Sequence, residues 1–146
     1  MIQVEEVARV ARTPTEVYDF LSAVERYPEW LPALTSAEQT SSGPVAAGTT
    51  FRLRLVGPAG PIEADGVVVE ADPGRSLTVR GEAPQGRVEG GLRLKSVEGA
   101  TEVRVRIEVE LLGMYRFAEG LVAGELRRSL PGVLANVRAR LETDGA

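Results

Sequence analysis

The sequence predicts an α+β fold in which one antiparallel β-sheet of about six strands is covered by a long C-terminal α-helix. Three observations lead to this prediction. A strand-like segment at the N-terminus precedes a capped helix, the middle of the chain alternates apolar and polar residues, and helical spacing returns from Met114. Short turns between the alternating segments indicate neighbouring antiparallel strands rather than β–α–β units. The long helix is the only element large enough to bury the apolar face of such a sheet.

The composition is that of a globular protein. The 146 residues are 43% hydrophobic and 26% charged, so we expect one domain over residues 1–146. No apolar run is long enough to span a bilayer, and the N-terminus does not resemble a signal peptide, which predicts a cytoplasmic location. The net charge of −4 argues against binding to nucleic acid by neutralisation of phosphates.

The chain has no cysteine and no histidine. Disulfides, thiolate nucleophiles and cysteine-based metal sites are therefore excluded, and the commonest general base is missing. Glu5 and Glu6 do not form a metal-binding pair, because adjacent residues of a strand face opposite sides. Any catalysis would depend on carboxylates, tyrosines, serines, arginines or Lys95. These absences favour a binding protein without a metal or cofactor over an enzyme.

The first two elements are a strand and a helix. Residues 2–11 fit a strand with alternating apolar residues, and Glu6 lies in the same phase as those residues. Thr13, Pro14 and Glu16 form a capping box with proline at the first helical position. The apolar positions that follow at helical spacing are Val17, Phe20, Leu21 and Val24.

The middle of the chain contains the strands of the sheet. Alternation of apolar and polar residues predicts strands at 51–55, 62–68, 77–81, 88–95 and 103–111, with a weaker one at 35–40. Turn signals separate them, namely SSGP at 41–44, GPAGP at 57–61, DPGR at 72–75, APQG at 83–86 and EGA at 98–100.

The C-terminal segment has the spacing of an amphipathic helix. Its apolar stripe consists of Phe117, Leu121, Val122, Leu126, Leu130, Val133, Val137 and Leu141. Pro131 and Gly132 interrupt this stripe. Because proline removes a backbone hydrogen bond and clashes with the preceding turn, we expect a kink or a break there.

The face of the sheet that points inward is nearly free of charge. It carries Phe51, Leu53, Val79 and Leu92, but also the small residues Ala8, Ala64, Gly66, Gly81 and Gly90. The small residues have two interpretations that the spacing does not separate. They bend the strands and permit close packing, or they leave volume for a guest molecule. A guest on such a face would be apolar.

Few polar side chains are candidates for the same site. Glu6 points inward, or a bulge turns it to solvent. Tyr18 lines the site, or packs in the core with its hydroxyl at the surface. Tyr115 opens the C-terminal helical segment. Tyr27 and the only tryptophan, Trp30, form the rim of a site or pack against the first helix.

Several local motifs together resemble the START-like superfamily of polyketide cyclase/dehydrase and lipid-transport domains. The opening VARTPTEVYDFLSAVERYPEWLP at 10–32 is similar to the strand, capped helix and tyrosine–proline–tryptophan segment of that family. The hairpin VEGATEVRVRIEVELLG at 97–113 resembles the turn into its last strand. YPEWLP also looks like the YP-x-FLP opening of the coenzyme-Q-binding and ribosome-association-toxin branch, with Trp30 in place of phenylalanine.

The resemblance implies the helix-grip fold. In that fold a curved antiparallel sheet of about six or seven strands wraps around the C-terminal helix, with two short helices after the first strand. It also implies a pocket between sheet and helix for a lipid, an isoprenoid quinone or a polyketide-like aromatic, with transient membrane contact compatible with such a role. The ligand-binding residues expected on this basis are Glu6, Tyr18, Tyr27, Trp30, Phe51, Leu53, Gly66, Val79, Leu92, Tyr115 and Leu121.

Two alternatives remain open from the sequence. One is an aromatase/cyclase- or dehydratase-like enzyme that uses Glu6 with Tyr18 or Tyr115 as its acid and base groups. The other is a protein-interaction module, which would expose an apolar patch around residues 27–30 and the 57–61 loop.

Overall fold

The computed structural model describes residues 1–57 and 60–144, so part of the predicted 57–61 turn lies outside the described residues. The strands are β1 (Ile2–Val10), β2 (Leu34–Gln39), β3 (Thr50–Gly57), β4 (Gly60–Asp72), β5 (Ser76–Ala83), β6 (Gly86–Val97) and β7 (Ala100–Leu111). The α-helices are α1 (Pro14–Ser22), α2 (Tyr27–Trp30) and α3 (Glu119–Asp144), and 3₁₀ helices cover Val24–Arg26 and Gly113–Ala118.

The strands form one antiparallel sheet in the order β1-β7-β6-β5-β4-β3-β2. The predicted α+β helix-grip fold, with a curved sheet of six or seven strands and a long C-terminal helix, is confirmed. The weaker strand predicted at 35–40 is β2. The pairing of β1 with β7, which places the first strand of the chain beside the last one, is a long-range contact that no local pattern predicts.

The register of the strands divides the sheet into two faces. Residues paired across antiparallel strands share a face. The inner face carries the apolar residues of each strand, such as Val4, Val79 and Val105, and the outer face carries arginines and glutamates. Ion pairs on the outer face include Arg104 with Glu5 at 2.6 Å. Exposed pairs of this kind add little stability each, so their main effect is to keep the outer face solvated.

The two ends of the sheet differ. At one end, called the closed end, α1 follows β1 and packs over the beginning of β7, where Val10, Val17 and Val103 are buried. At the other end, called the open end, β1 begins and β7 ends, the end of β3 pairs with the start of β4, and the β5–β6 connection lies there as well. The helices therefore seal one end of the inner face.

The predicted cap of α1 is present. Thr13 Oγ1 accepts a hydrogen bond from the Glu16 backbone N–H at 3.2 Å, and the Glu16 carboxylate accepts one from the Thr13 N–H at 3.4 Å. The helix ends at Ser22, and the chain continues as a 3₁₀ turn and then α2. The cap fixes the point at which the chain leaves β1 and turns over the inner face.

Loss of this cap should destabilise the protein measurably. We expect Thr13→Ala to lower the free energy of unfolding by about 1 kcal/mol, because the Glu16 backbone N–H loses its acceptor and the Glu16 carboxylate loses the Thr13 hydroxyl that holds it at the cap. Urea unfolding measures the effect, with Thr15→Ala in the first turn as the matched control. Equal effects of the two substitutions would contradict the capping role of Thr13.

Helix α3 runs through Pro131 without a break, so the predicted break did not occur. The proline removes one backbone hydrogen bond, but the neighbouring Leu130, Val133 and Leu134 are buried and hold both halves of the helix in place. Pro131 and Gly132 themselves are exposed.

The apolar stripe predicted for this segment does not hold at its N-terminal end. Phe117 is 85% exposed and Leu121 is 61% exposed. For Phe117 the reason is that Gly113–Ala118 forms a 3₁₀ helix, which has three residues per turn rather than 3.6 and so takes Phe117 out of phase with α3. Leu121 lies within α3 itself, nine positions before the buried Leu130, and this spacing places it about half a turn away, on the opposite side of the helix.

Candidate functional site

The inner face is filled at the closed end and remains accessible further along the strands. Phe51 is 2% exposed and Val103 is 0% exposed, whereas Leu53 and Val105, the next inner-face residues of the same strands, are only half-buried. The half-buried inner-face residues of the central strands are Leu53, Leu55, Val79, Val88, Gly90, Leu92, Val105, Ile107 and Val109. We call the apolar space that they line the inner-face cleft.

The positions of the helices explain this cleft. Among the strands, β1 has the most extensive backbone contact with α3, and α2 contacts both α3 and β2. Since β1 and β2 are the two edges of the sheet, the helices cover its edges. Helix α1 approaches the central strand β6 at the closed end. Toward the open end, Val79 of β5 and Val88 and Gly90 of β6 remain half-buried.

The inner-face glycines do not share one role. A Cβ at Gly66 would lie 2.2 Å from the Phe51 ring, so this glycine lets the ring pack across its strand. At Gly90 a Cβ would lie 3.6 Å from Val79 Cγ2, which is an ordinary contact. Close packing is therefore the explanation for Gly66, and Gly90 leaves space in the cleft.

Four aromatic residues gather at one side of the cleft. Tyr27 packs edge-on against Trp30, with ring centroids 5.5 Å apart, and against Phe51 at 6.3 Å. Tyr18 belongs to the same apolar group, and we call these four residues the aromatic cluster. Trp30 also contacts the other two groups of core residues, so it lies where all three meet. Because Tyr27 is buried and Trp30 half-buried, residues 27–30 do not form the exposed patch expected of an interaction module.

Two polar atoms of this cluster are buried without a partner. Neither the Tyr18 hydroxyl oxygen nor Trp30 Nε1 has a hydrogen bond among the described residues. The expectation that a core Tyr18 would place its hydroxyl at the surface is therefore wrong. Tyr18 faces the interior, where it packs with Val68 of β4 and Leu77 of β5.

Burial also changes the acidity of the tyrosines. The pKa of Tyr27 is raised well above 10.0, first by burial and then by the neighbouring Tyr18. The pKa of Tyr18 is raised by burial and by the carboxylates of Asp72 and Asp19. Both phenols therefore stay neutral at physiological pH and are able to donate a hydrogen bond.

Alkaline pH should weaken the fold through Tyr27. Because its folded pKa lies above the unfolded value of 10.0, the unfolded state loses a proton that the folded state keeps. The contribution of Tyr27 to the free energy of unfolding is complete at pH values below the unfolded pKa and is lost as the pH rises from there toward the folded pKa. We expect the free energy of unfolding to fall with pH in this range and to fall less steeply in Tyr27→Phe. Urea unfolding at neutral and alkaline pH measures how the free energy of unfolding changes with pH in the wild-type protein and in Tyr27→Phe. Equal slopes in the two proteins would show that Tyr27 is not the source of this pH dependence.

Glu6 points toward the inner face. The β1–β7 register continues from Ile2 to Val10 without a shift and places Glu6 opposite Val105, so the bulge considered at Glu5–Glu6 is not formed. Its side chain is half-buried and has no hydrogen bond or ion pair within the described part of the chain. It lies on the edge strand, apart from the aromatic cluster.

The structure brings most of the expected ligand-binding residues together. Tyr18, Tyr27, Trp30, Phe51, Leu53, Val79 and Leu92 form one apolar group, with Gly66 under the Phe51 ring. Tyr115, half-buried in the 3₁₀ helix at the open end, and the exposed Leu121 lie outside this group. The lining residues that the expectation did not include are Leu55, Val88, Gly90, Val105, Ile107 and Val109, although the period of two in β3, β6 and β7 already placed them on the inner face.

Two depressions lie on other surfaces. One, of about 330 Å³, lies on the outer face between charged residues that include Arg93, Arg104 and Arg106. The other, of about 430 Å³, lies between α2 and α3 and is lined by Glu29, Asn136 and Arg140 among others. Both have charged rims, which do not suit an apolar guest.

The described residues contain no cluster of three or more carboxylates, histidines or cysteines suited to a metal ion. Within the same part of the chain, no helix is both long and apolar enough to cross a membrane.

Comparison with known proteins agrees with this architecture. A family model described as polyketide cyclase / dehydrase and lipid transport matches residues 1–142. No curated protein shows significant similarity to the sequence.

Solved structures share the fold at low sequence identity. The Zhui aromatase/cyclase from a Streptomyces species is 17% identical with a TM-score of 0.83, and the match covers 99% of this chain and 95% of that one. TTHA0849 from Thermus thermophilus is 17% identical with a TM-score of 0.82 and 99% of both chains covered. A START superfamily protein from Mycobacterium smegmatis is 15% identical with a TM-score of 0.77 and 97% of both chains covered.

Proposed function

We propose that this chain, which belongs to the polyketide cyclase/dehydrase and lipid transport family, binds an apolar small molecule in the inner-face cleft. The observation that carries the proposal is the half-buried state of the apolar residues on the central strands, such as Leu53, Val79 and Ile107. A ligand that covers them gains about 25 cal/mol for each Å² of apolar surface removed from water.

The aromatic cluster favours a flat or ring-containing ligand. The edge of Trp30 and the half-buried Leu92 belong to the same apolar group, so one face of a ligand ring would contact both aliphatic and aromatic carbon. A polyketide-like aromatic or the head of an isoprenoid quinone has this shape, and a lipid chain would use the aliphatic surface of β6 and β7. The similarity to an aromatase/cyclase and the family description support this range of ligands.

Mass spectrometry of the freshly purified protein tests the proposal. Native and denaturing spectra of the same sample are compared, and the organic extract is analysed for the released compound. We expect a mass surplus that disappears on denaturation. A second arm titrates protein stripped by extraction with N-phenyl-1-naphthylamine, whose fluorescence rises in apolar surroundings. A clean apo mass together with no rise in probe fluorescence would overturn the proposal.

The register of β1 supports a second candidate, a dehydratase-like enzyme with Glu6 as its base. Glu6 is the one unpaired carboxylate of the described strands that lies in inner-face register. Its carboxylate would remove the α-proton of a β-hydroxyketone, and the resulting carboxylic acid would return that proton to the hydroxyl, which leaves as water while the C=C bond forms. Incubation with 4-hydroxy-4-phenylbutan-2-one tests this activity. Dehydration of this compound by the wild-type protein would support the enzyme candidate if Glu6→Gln abolishes the reaction and leaves the affinity for N-phenyl-1-naphthylamine unchanged. If the wild-type protein does not dehydrate the compound, this candidate is excluded.

A further inference from the structure

The interior of the aromatic cluster contains hydrogen-bond donors that the protein itself does not satisfy. Trp30 Nε1 and the Tyr18 hydroxyl are both buried and have no partner in the described residues. Most buried polar groups in folded proteins are paired, and each exception calls for an explanation. An indole N–H is able only to donate, so its missing partner is an acceptor.

The two donors share one environment. Tyr27 contacts Trp30 ring to edge, with centroids 5.5 Å apart, and Tyr18 and Tyr27 belong to the same group of buried core residues, against which Trp30 packs. Tyr18 is 95% buried, since only 5% of its surface is exposed. Around them lie the cleft residues Leu53 and Val79, which pack against the same group. An acceptor that reaches these donors would therefore have to enter the apolar cleft.

The charges on the inner face indicate which kind of ligand group could accept these hydrogen bonds. The described strands place no arginine or lysine in inner-face register, and Glu6 is their one charged residue there. A buried carboxylate or phosphate would lack a counter-ion and would lie on the same face as a second negative group. A neutral oxygen, such as that of a ketone, quinone or ester, accepts a hydrogen bond without this penalty.

We propose that the cleft selects neutral apolar ligands that carry a hydrogen-bond-accepting oxygen, and that Trp30 and Tyr18 donate to that oxygen. This inference rests on the proposed function and adds the feature by which the cleft distinguishes one apolar molecule from another. Trp30, at the junction of the three core groups, and Tyr18, within the cluster, are its specificity-determining residues.

A matched pair of probes tests the inference. Fluorenone and fluorene are rigid, neutral and of nearly equal size, and only fluorenone has a carbonyl oxygen. Their affinities are measured by displacement of N-phenyl-1-naphthylamine. Fluorene is the more hydrophobic of the two, so tighter binding of fluorenone does not arise from burial alone. We expect the wild-type protein to prefer fluorenone by about tenfold, which corresponds to about 1.4 kcal/mol.

Variants of Trp30 and Tyr18 test whether these two donors cause the preference for fluorenone over fluorene. Trp30→Phe and Tyr18→Phe keep an aromatic ring and remove the donor, and each should reduce the preference to about threefold or less, since one hydrogen bond is lost. Tyr115→Phe, which removes a hydroxyl outside the cluster, is the control and should leave it unchanged.

The outcomes separate the two proposals. Equal affinity of the wild-type protein for fluorenone and fluorene would overturn this inference and leave the proposed function standing. The same conclusion would follow if both donor variants kept the wild-type preference for fluorenone. Failure of both fluorenone and fluorene to displace N-phenyl-1-naphthylamine, or failure of N-phenyl-1-naphthylamine to bind, would overturn the proposed function itself. The wild-type comparison needs no substitution, so it holds even if a variant does not fold.

Discussion

Replacement of Gly90 by leucine is expected to weaken binding of an apolar probe by more than tenfold while the protein stays folded. Gly90 lies on the inner face of β6 between Val79 and Ile107, and a Cβ there makes only an ordinary contact at 3.6 Å. The rest of a leucine side chain would extend into the inner-face cleft and occupy volume that the ligand needs. A loss of about 1.4 kcal/mol is already a tenfold loss of affinity. Titration with N-phenyl-1-naphthylamine measures the effect.

The adjacent Gly91 provides a matched control. It lies on the same strand but on the outer face, opposite Arg106, and a Cβ there would meet Thr78 Oγ1 at 3.8 Å. Gly91→Leu adds the same side chain and should leave probe affinity unchanged. If Gly91→Leu reduced binding and Gly90→Leu did not, the ligand would bind on the outer face and the inner-face assignment would be wrong.

Removal of the Phe51 ring should cause the largest loss of stability. Phe51 is 2% exposed and contacts both Tyr27 and the backbone at Gly66. Phe51→Ala is expected to lower the free energy of unfolding by about 3–5 kcal/mol, because it removes buried apolar surface and leaves a cavity. Gly66→Ala in the wild-type background should cost about 1–3 kcal/mol, because the new methyl group overlaps the ring. Urea unfolding measures both.

The two substitutions should not be additive. In a protein that already carries Phe51→Ala, the ring is gone and a methyl group at Gly66 has room. Alanine is also preferred to glycine within a strand by about 0.5–1 kcal/mol. We therefore expect Gly66→Ala to be neutral or stabilising in that background and destabilising in the wild type. The same cost in both backgrounds would show that the overlap with Phe51 is not the reason for the glycine.

The elements of the fold were predictable because their signals are local. Thr13 and Glu16 are three residues apart and mark the start of α1, and the alternation over 103–111 identifies β7. The pairing of β1 with β7 was not predictable, since it joins residues more than ninety positions apart, such as Val10 and Thr101. Continuation of α3 through Pro131 also depends on distant contacts, namely those that bury its neighbours against the sheet.

The candidate site was predictable in outline and not in detail. Periodicity identified the residues of the inner face, but it treated Gly66 and Gly90 alike. They differ because the Phe51 ring of the neighbouring strand lies across one of them, and a sequence pattern contains no information on that side-chain conformation. The unpartnered donors of Tyr18 and Trp30 were not foreseen either, because a missing hydrogen bond depends on every group that surrounds an atom.

Methyl NMR shows directly where on the sheet a ligand binds. Protein labelled at isoleucine, leucine and valine methyl groups is titrated with N-phenyl-1-naphthylamine. We expect the largest shift changes at Leu53, Val79 and Ile107 on the inner face, with little change at Val7 on the outer face. Shift changes confined to Val7 and its outer-face neighbours, or to the exposed Leu121, would contradict this expectation.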